Sequence, residues 1–533
     1  MARLRLILPL ALFLTLAFYQ LDLPGLHYDE AFEAVPAVQL LANRPVSPFR
    51  GSALTLFGRQ FPLTTQDYIG ALNTYAALPF LAVGGVSVAS LRSYAIVVGL
   101  VSLLLVYGFT TDLARDRRAG PVAAALLSVN PTFVFWSRQG VFVTAVGAAI
   151  GVGAAWSWLA WHRRRRYRWA ALGAFLFGLG VYAKLLFVWL IGAFMVLFLV
   201  ERIVKGRGQV FGGFSARQLL GLLIAFGAGC WPLIVYNLQT GGTLKSIAQN
   251  AATSYYGVDN AAVLPNLAAR LEQLVTLLNG GHLWYLGSVH ANNVAPALFG
   301  LALAASVWLA VTDKTTAPLI PFLVIGLVTV ESIVTVSALW ITHFALIMVW
   351  PAIALAVTGV ELARRFAGRP GVLPTLWLAL ALLLATEGYT TWQYHRALTV
   401  SGGLGSHSDA VYDLAAWLNQ RPAGPVVAMD WGLAAPVTFL SGGSITPIEL
   451  FGYDWDAPGR FEARIAPYLT PRQAVFLWRA PDEIIFDRSG DFEARYRPLK
   501  LEETILAAFY ERSGRPVLGV TELVPQGSAE NPP

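Results

Sequence analysis

The first residues in the chain that could do chemistry are two adjacent carboxylates, in the stretch Leu26-His27-Tyr28-Asp29-Glu30-Ala31. They directly follow an apolar run, about residues 4–21, long enough to cross a bilayer core at roughly 1.5 Å per residue. That places them at a membrane surface, where a lipid-carried group and a second substrate would meet. On a helix that starts near Asp29, neighbouring side chains diverge, so Asp29 can face a cavity while Glu30 points sideways toward other helices. A carboxylate placed in this way serves as a general base or a metal ligand. The same pair at a helix N-terminus also complements the macrodipole, which is a purely structural use.

The elements that must position these carboxylates are membrane helices. The chain is 56% hydrophobic and 13% charged, with a mean hydropathy of +0.57. This is too apolar and too charge-poor for a water-soluble globular protein. Apolar runs recur from Leu4 to Tyr389 without period-2 alternation, which requires helices and excludes a barrel. The net charge of +7 comes from basic clusters in the short segments between apolar runs, so it reports orientation and not nucleic-acid binding. Cys230 is the single cysteine, which excludes an intrachain disulfide. Arg3 and Arg5 precede the first apolar run, and without a clean small-x-small cleavage site this run reads as an uncleaved first helix.

Basic clusters at Arg3/Arg5, Arg115/Arg117/Arg118, Arg163 to Arg166, Arg202/Lys205/Arg207 and Arg364/Arg365/Arg369 mark cytoplasmic segments. The N-terminus is then cytoplasmic, and the outer loops are about 22–68 and 239–293. Two apolar segments between Asp67 and Arg115 would break this parity, so 69–88, interrupted by Pro79 and Gly84-Gly85, reads as embedded or re-entrant. The run 169–200 would be roughly 48 Å as one helix, and reads better as two helices turning near Lys184. The expectation is an α-helical polytopic protein with about eleven or twelve transmembrane helices over 1–394. A small α/β soluble domain follows over 395–533, on the extracytoplasmic side. Within it, Ala410 to Leu418 reads as a helix, and Val426 to Met429, Ala474 to Trp478 and Glu483 to Phe486 read as strands.

Taken together, the motifs of the first 240 residues resemble the GT-C superfamily of membrane glycosyltransferases, which includes protein O-mannosyltransferases of the family 39 type, aminoarabinose transferases and oligosaccharyltransferase catalytic subunits. The resemblance rests on the first helix with Asp29-Glu30 and on Gly70 to Tyr75, an aromatic segment entering the membrane. It also rests on Ser90-Leu91-Arg92, similar to an Ala-Leu-Arg element, and on Asn130-Pro131 to Arg138, similar to a Pro-x-x-x-x-x-Ser-Arg turn. It implies a sugar donor linked to polyprenyl phosphate and transfer, with inversion, on the extracytoplasmic side to a lipid, glycan or protein acceptor. It further implies that Asp29 is the catalytic acidic residue, with Glu30 beside it, and that Asp67 is the second acid. The chain departs from the family where it reads Thr65-Gln66-Asp67-Tyr68 in place of a His-Pro-Pro or Lys-Pro-Pro element.

In this frame Arg138 and Lys184 are candidate donor-phosphate ligands, since a cation at the outer face neutralises a phosphate leaving group. Their structural alternative is snorkelling to lipid headgroups. His27, Tyr68, His282, Trp284, Tyr285, His290 and His343 are further candidate substrate contacts, and aromatic residues at these places also form interfacial belts. A divalent metal is compatible with the carboxylate pair, with Asp29 as its ligand. The competing readings are a secondary transporter and a non-catalytic lipid-carrier-binding protein. No inverted half-repeat is evident in the sequence, which counts against the transporter.

Overall fold

The computed structural model describes residues 4–139, 142–204, 214–421, 424–451 and 459–528. Of the orientation markers, Arg3, Lys205 and Arg207 lie outside the described residues. The first helices are α1 (Leu4–Phe18), α2 (Tyr28–Leu41), α3 (Leu72–Gly84), α4 (Val88–Ala114), α5 (Ala119–Val129), α6 (Pro131–Arg138), α7 (Phe142–Arg164) and α8 (Tyr167–Ala183). They are followed by α9 (Val188–Val204), α10 (Ala216–Thr240), α11 (Gly242–Gln249), α12 (Val263–Asn279), α13 (Val294–Thr312), α14 (Leu319–Glu331), α15 (Trp350–Arg365) and α16 (Val372–Ser401).

Among the described residues, five helices are individually long and apolar enough to cross a membrane: Val88–Ala114, Leu185–Ile203, Ala216–Thr240, Val294–Thr312 and Val372–Ser401. The pair α5–α6, bent by 69°, adds a sixth broken span. Shorter apolar helices are Leu6–Phe18, Leu72–Gly84 and Leu319–Glu331. Helix α3, at 13 residues, rises about 20 Å, short of a core of about 30 Å. The lipid-facing side is legible from exposure: Leu223, Leu238, Leu301 and Leu378 on α10, α13 and α16 are open, whereas Trp136, Trp350, Phe133 and Phe187 are fully buried. The protein is a multi-pass membrane protein.

Local sequence sets the helix ends that matter. Asn130 caps α6 by accepting from the Phe133 N–H at 2.9 Å, and Pro131 follows at the first helical position. A proline there cannot continue α5, so the chain bends. Helices α8 and α10 pack closely because Gly178 and Gly229 face each other's backbones; a Cβ at Gly178 would lie 2.0 Å from the Phe226 carbonyl oxygen.

The loop after α2 folds into two small hairpins, β1 (Ala53–Leu56) with β2 (Arg59–Pro62), and β3 (Thr64–Gln66) with β4 (Ile69–Gly70).

The C-terminal region comprises α17 (Ala410–Asn419), β5 (Val426–Ala428), α18 (Ala434–Leu440), β6 (Ile448–Glu449), α19 (Arg460–Ile465), β7 (Val475–Arg479), α20 (Ser489–Tyr496), β8 (Leu501–Tyr510) and β9 (Pro516–Pro525). Its sheet has the order β6-β5-β7-β9-β8. The β5 pairings are parallel, and those of β9 with β7 and β8 are antiparallel. The strand expected at Glu483 to Phe486 is absent. The N–H groups of Ile485 and Phe486 donate instead to the Asp430 carboxylate, both at 2.9 Å, which takes them out of any ladder. Helix α18 packs on α2, and the Tyr412 hydroxyl donates to the Asp22 carbonyl at 2.5 Å, so this region rests on the segment that carries Asp29.

Candidate active site at the N-terminus of the outer-loop helix

Two buried arginines fix where α2 begins. Arg92 of α4 donates from Nε and Nη2 to the Glu30 carboxylate, at 2.8 and 3.0 Å, and from Nη1 to the Leu21 carbonyl at 2.8 Å. Arg138, at the end of α6, donates to the carbonyls of Gln20 and Leu23. The α1–α2 connection is thus held from two helices. His27 then caps α2, its Nδ1 accepting from the Asp29 N–H at 3.3 Å. Glu30 is consumed in the clamp with a side chain only 2% exposed. Asp29 turns the other way and keeps a side chain 44% exposed, with its Oδ2 4.0 Å from His27 Nδ1.

Lys184 is held toward the start of α2 by the second half of the loop that follows it. Ile69 forms an isolated bridge with Lys184, and the Leu185 N–H donates to the Tyr68 carbonyl at 2.9 Å. Gly70 permits this approach, since a Cβ there would lie 2.2 Å from the Tyr182 carbonyl oxygen. The Lys184 residue is extended, between α8 and α9 and outside both. Burial lowers its ammonium to about 8, opposed by the charges of Asp29 and then Glu33. A lysine ammonium is a compact point charge that can pair with a phosphate.

Glu33, one turn after Asp29 on α2, is the group that sequence reasoning missed. Its Oε1 accepts from the Thr65 hydroxyl at 2.7 Å, while Oε2 is buried without a hydrogen-bond partner. Burial raises this carboxyl to about 7; the Thr65 bond opposes the rise, Asp29 adds to it and Lys184 opposes it. Its spacing of four from Asp29 was the available signal, because i and i+4 share a helix face. In the second long loop, partial burial raises the Tyr256 hydroxyl, and the Asp29 charge adds to the rise.

The other candidates occupy varied places. Asp67 is held by Arg50, from Nε and Nη2 at 2.7 Å each, and by the Tyr236 hydroxyl at 2.5 Å. Arg138 is fully buried, and its Nε and Nη1 have no hydrogen-bond partner. The Tyr68 backbone carbonyl holds the Lys184 turn, and its ring packs on the main core. His343 lies between Arg270 of α12 and the Lys184 side: its Nδ1 is 3.5 Å from Arg270 Nη2, and burial with the Lys184 and Arg270 charges holds it well below the usual histidine range.

His282 packs on Trp136 with ring centroids 4.5 Å apart and contacts the Thr132 hydroxyl at 2.9 Å. Tyr285 donates to Gln139 at 2.8 Å, His290 contacts Ser288 at 2.9 Å, and Trp284 is exposed. Of these four residues of the second loop, Tyr285 reaches the start of α2, stacking on His407, which stacks on His27. Among the described residues, no three His, Cys, Asp or Glu side chains gather into a metal-binding set.

The multi-pass helical domain with a mixed sheet domain resting on it is a fold shared with solved membrane proteins. Residues 72–229 match the family model described as dolichyl-phosphate-mannose-protein mannosyltransferase. Over nearly its whole length the chain is similar to the crystal structure of ArnT from Cupriavidus metallidurans bound to undecaprenyl phosphate. The two are 14% identical, with a TM-score of 0.61, covering 96% of this chain and 97% of that one. It is also similar to the apo Archaeoglobus fulgidus oligosaccharyltransferase, at 14% identity and a TM-score of 0.51, covering 96% and 74%. Comparison with curated proteins finds no match by sequence.

Proposed function

We propose that the protein transfers a sugar from a polyprenyl-phosphate-linked donor to a hydroxyl-bearing acceptor on the extracytoplasmic side. The observation that carries this reading is the convergence of Asp29 and Lys184 from distant parts of the chain, with Asp29 the strongest of the charges acting on the lysine. A general base and a phosphate cation side by side at a membrane surface suit a displacement in which one partner is lipid-borne. The match of residues 72–229 to a dolichyl-phosphate-mannose transferase model, and the likeness to a protein captured with undecaprenyl phosphate, support this donor class.

In the proposed reaction the acceptor hydroxyl gives its proton to the Asp29 carboxylate. Its oxygen attacks the anomeric carbon, and the bond from that carbon to the phosphate oxygen breaks, with the electron pair staying on the phosphate. Lys184 neutralises the charge that develops there. Glu30, Arg92 and Arg138 hold the connection that aims Asp29, and Asp67 with Arg50 and Tyr236 holds the loop end that pairs with Lys184.

The test is purified protein in lipid nanodiscs with a panel of undecaprenyl-phosphate sugars, following release of undecaprenyl phosphate. One donor is consumed by the wild type, and Asp29→Asn abolishes its consumption. Equal turnover by Asp29→Asn, or no consumption of any donor with tight binding retained, would favour a carrier-binding protein and overturn the enzyme reading.

A further inference from the structure

The charge change in this reaction creates a physical demand at the site. A sugar-phosphate-prenyl diester carries one negative charge, whereas the released prenyl phosphate, with a second pKa of about 6, carries two near neutral pH. One more negative charge thus appears beside buried groups, where each uncompensated charge is costly. Lys184 alone supplies a single positive charge against both Asp29 and Glu33.

Resting on the reading above, we infer that Glu33 is the proton store of the site: it takes up the proton that the acceptor hydroxyl releases and keeps it while the prenyl phosphate product is bound. The geometry is specific. Glu33 is 6% exposed, and its Oε2 is buried with no partner, which leaves one oxygen of the carboxyl unused in the resting protein. A buried polar atom left unpaired calls for an explanation. Protonation of that oxygen removes the charge that makes burial costly. The residue also lines a cavity between α2, α3, α4 and α7, where the Tyr94 hydroxyl donates to the Asn73 side-chain oxygen at 2.7 Å and so not to Glu33.

The groups facing Glu33 are few. From its own helix come Asp29 and Glu30, the latter neutralised by Arg92. The turn after α8 presents Lys184, and Tyr94 of α4 and Tyr182 of α8 feel its charge. Helix α3 contributes the neutral Thr74, which donates to the Glu33 carbonyl at 2.6 Å, and α18 contributes no ionisable side chain. Its ordinary titration, raised to about 7, leaves it mostly ionised slightly above neutrality and ready to accept. The step balances: the proton leaves the acceptor oxygen for Asp29, passes one helical turn to Glu33, and returns to solvent when the product dissociates.

The experiment is calorimetric titration of the full-length protein in detergent with farnesyl phosphate near pH 8, in buffers of different ionisation enthalpy. At that pH the ligand is a dianion, so proton uptake is the protein's own. Glu33→Gln should take up about one proton fewer than wild type on binding, and Glu33→Asp should restore most of the difference. Equal uptake by wild type and Glu33→Gln would overturn the inference while leaving the phosphate site intact. Should Glu33→Gln not fold, a Glu33→Asp protein that binds with wild-type uptake, the uptake midpoint moving toward the lower ordinary pKa of aspartate, supports it, and an unmoved midpoint overturns it. Absence of farnesyl phosphate binding to wild type, or unchanged affinity in Lys184→Gln, would instead overturn the phosphate site on which the inference rests.

Discussion

Glu30 and Arg92 form a two-bonded ion pair from which solvent is excluded on both sides, with side chains 2% and 0% exposed. The arginine spends its remaining donor on the Leu21 carbonyl, so the pair ties the start of α2 to α4 and to the end of the first helix at once. Its position directly beside Asp29 makes it the mechanical support of the proposed base.

Breaking that pair from one side leaves a buried charge without a partner, which costs about 3–5 kcal/mol. Arg92→Ala and Glu30→Ala should each lower stability by that order, and an Arg92→Met, Glu30→Leu double variant should recover part of it. Thermal unfolding in detergent measures this. Single variants that unfold together with the parent would show that the pair supports nothing.

Lys184 should govern the affinity for a prenyl phosphate. Losing a charged hydrogen bond costs about 1.5–3 kcal/mol, roughly a ten- to hundredfold weaker Kd in Lys184→Gln. The amine is lowered to about 8, so it is charged below that pH and its contribution fades as pH rises through it. A guanidinium stays charged throughout, so Lys184→Arg should bind less pH-dependently above about pH 8. Parallel pH curves for the wild type and Lys184→Arg would refute the assignment.

Asp67 is already engaged by Arg50 and Tyr236, which predicts behaviour different from that of Asp29. Arg50→Ala should reproduce the effect of Asp67→Asn on turnover, and the double variant should be no worse than either alone, because all three remove one support of the loop. A collapse in Asp67→Asn with near-normal turnover in Arg50→Ala would make Asp67 a reacting group instead.

How much of this was legible in the sequence follows the strength of each local signal. The break at Asn130-Pro131 and the turn at Lys184 could be read because a proline after a cap and an over-long apolar run leave few alternatives. Asp29 stood out through its position at the end of a membrane helix. Glu33 did not: its partner Thr65 and its neighbour Lys184 are distant in sequence, so its burial is a tertiary fact. The second loop read as merely polar, because α12 turns Asn266 and Arg270 inward to backbone carbonyls and leaves Leu264 and Leu271 outward, the reverse of a soluble amphipathic helix. The long β8–β9 hairpin was also unread, since a register shift between Ile505 and Ala507 breaks the alternation that would mark it. Arg138, expected beside the phosphate, donates to the carbonyls of Gln20 and Leu23, more than a hundred residues away in sequence.

The junction between the sheet domain and the site should be sensitive to acid. The rings of His27 and His407 stack at 4.2 Å, and His407 stacks on Tyr285 at the same distance, joining the α2 cap to the linker before α17 and to the second long loop. Burial lowers His27, with Arg479 adding to the effect and Asp29 opposing it, and burial with the charges of His27, Arg92 and Arg479 holds His407 well below its ordinary value. Both are therefore neutral in the folded protein, while in the unfolded chain they take up protons below about pH 6.5. Where the unfolded state binds more protons, stability rises with pH, so the contribution is complete above about pH 6.5 and is lost progressively below it. His407→Phe keeps an aromatic ring in the stack without a titrating nitrogen, and His407 Nδ1 has no hydrogen-bond partner to forfeit. Its thermal stability should accordingly fall less steeply than that of wild type between about pH 6.5 and 5. Parallel profiles for the two proteins would show that the stack does not couple protonation to docking of the sheet domain.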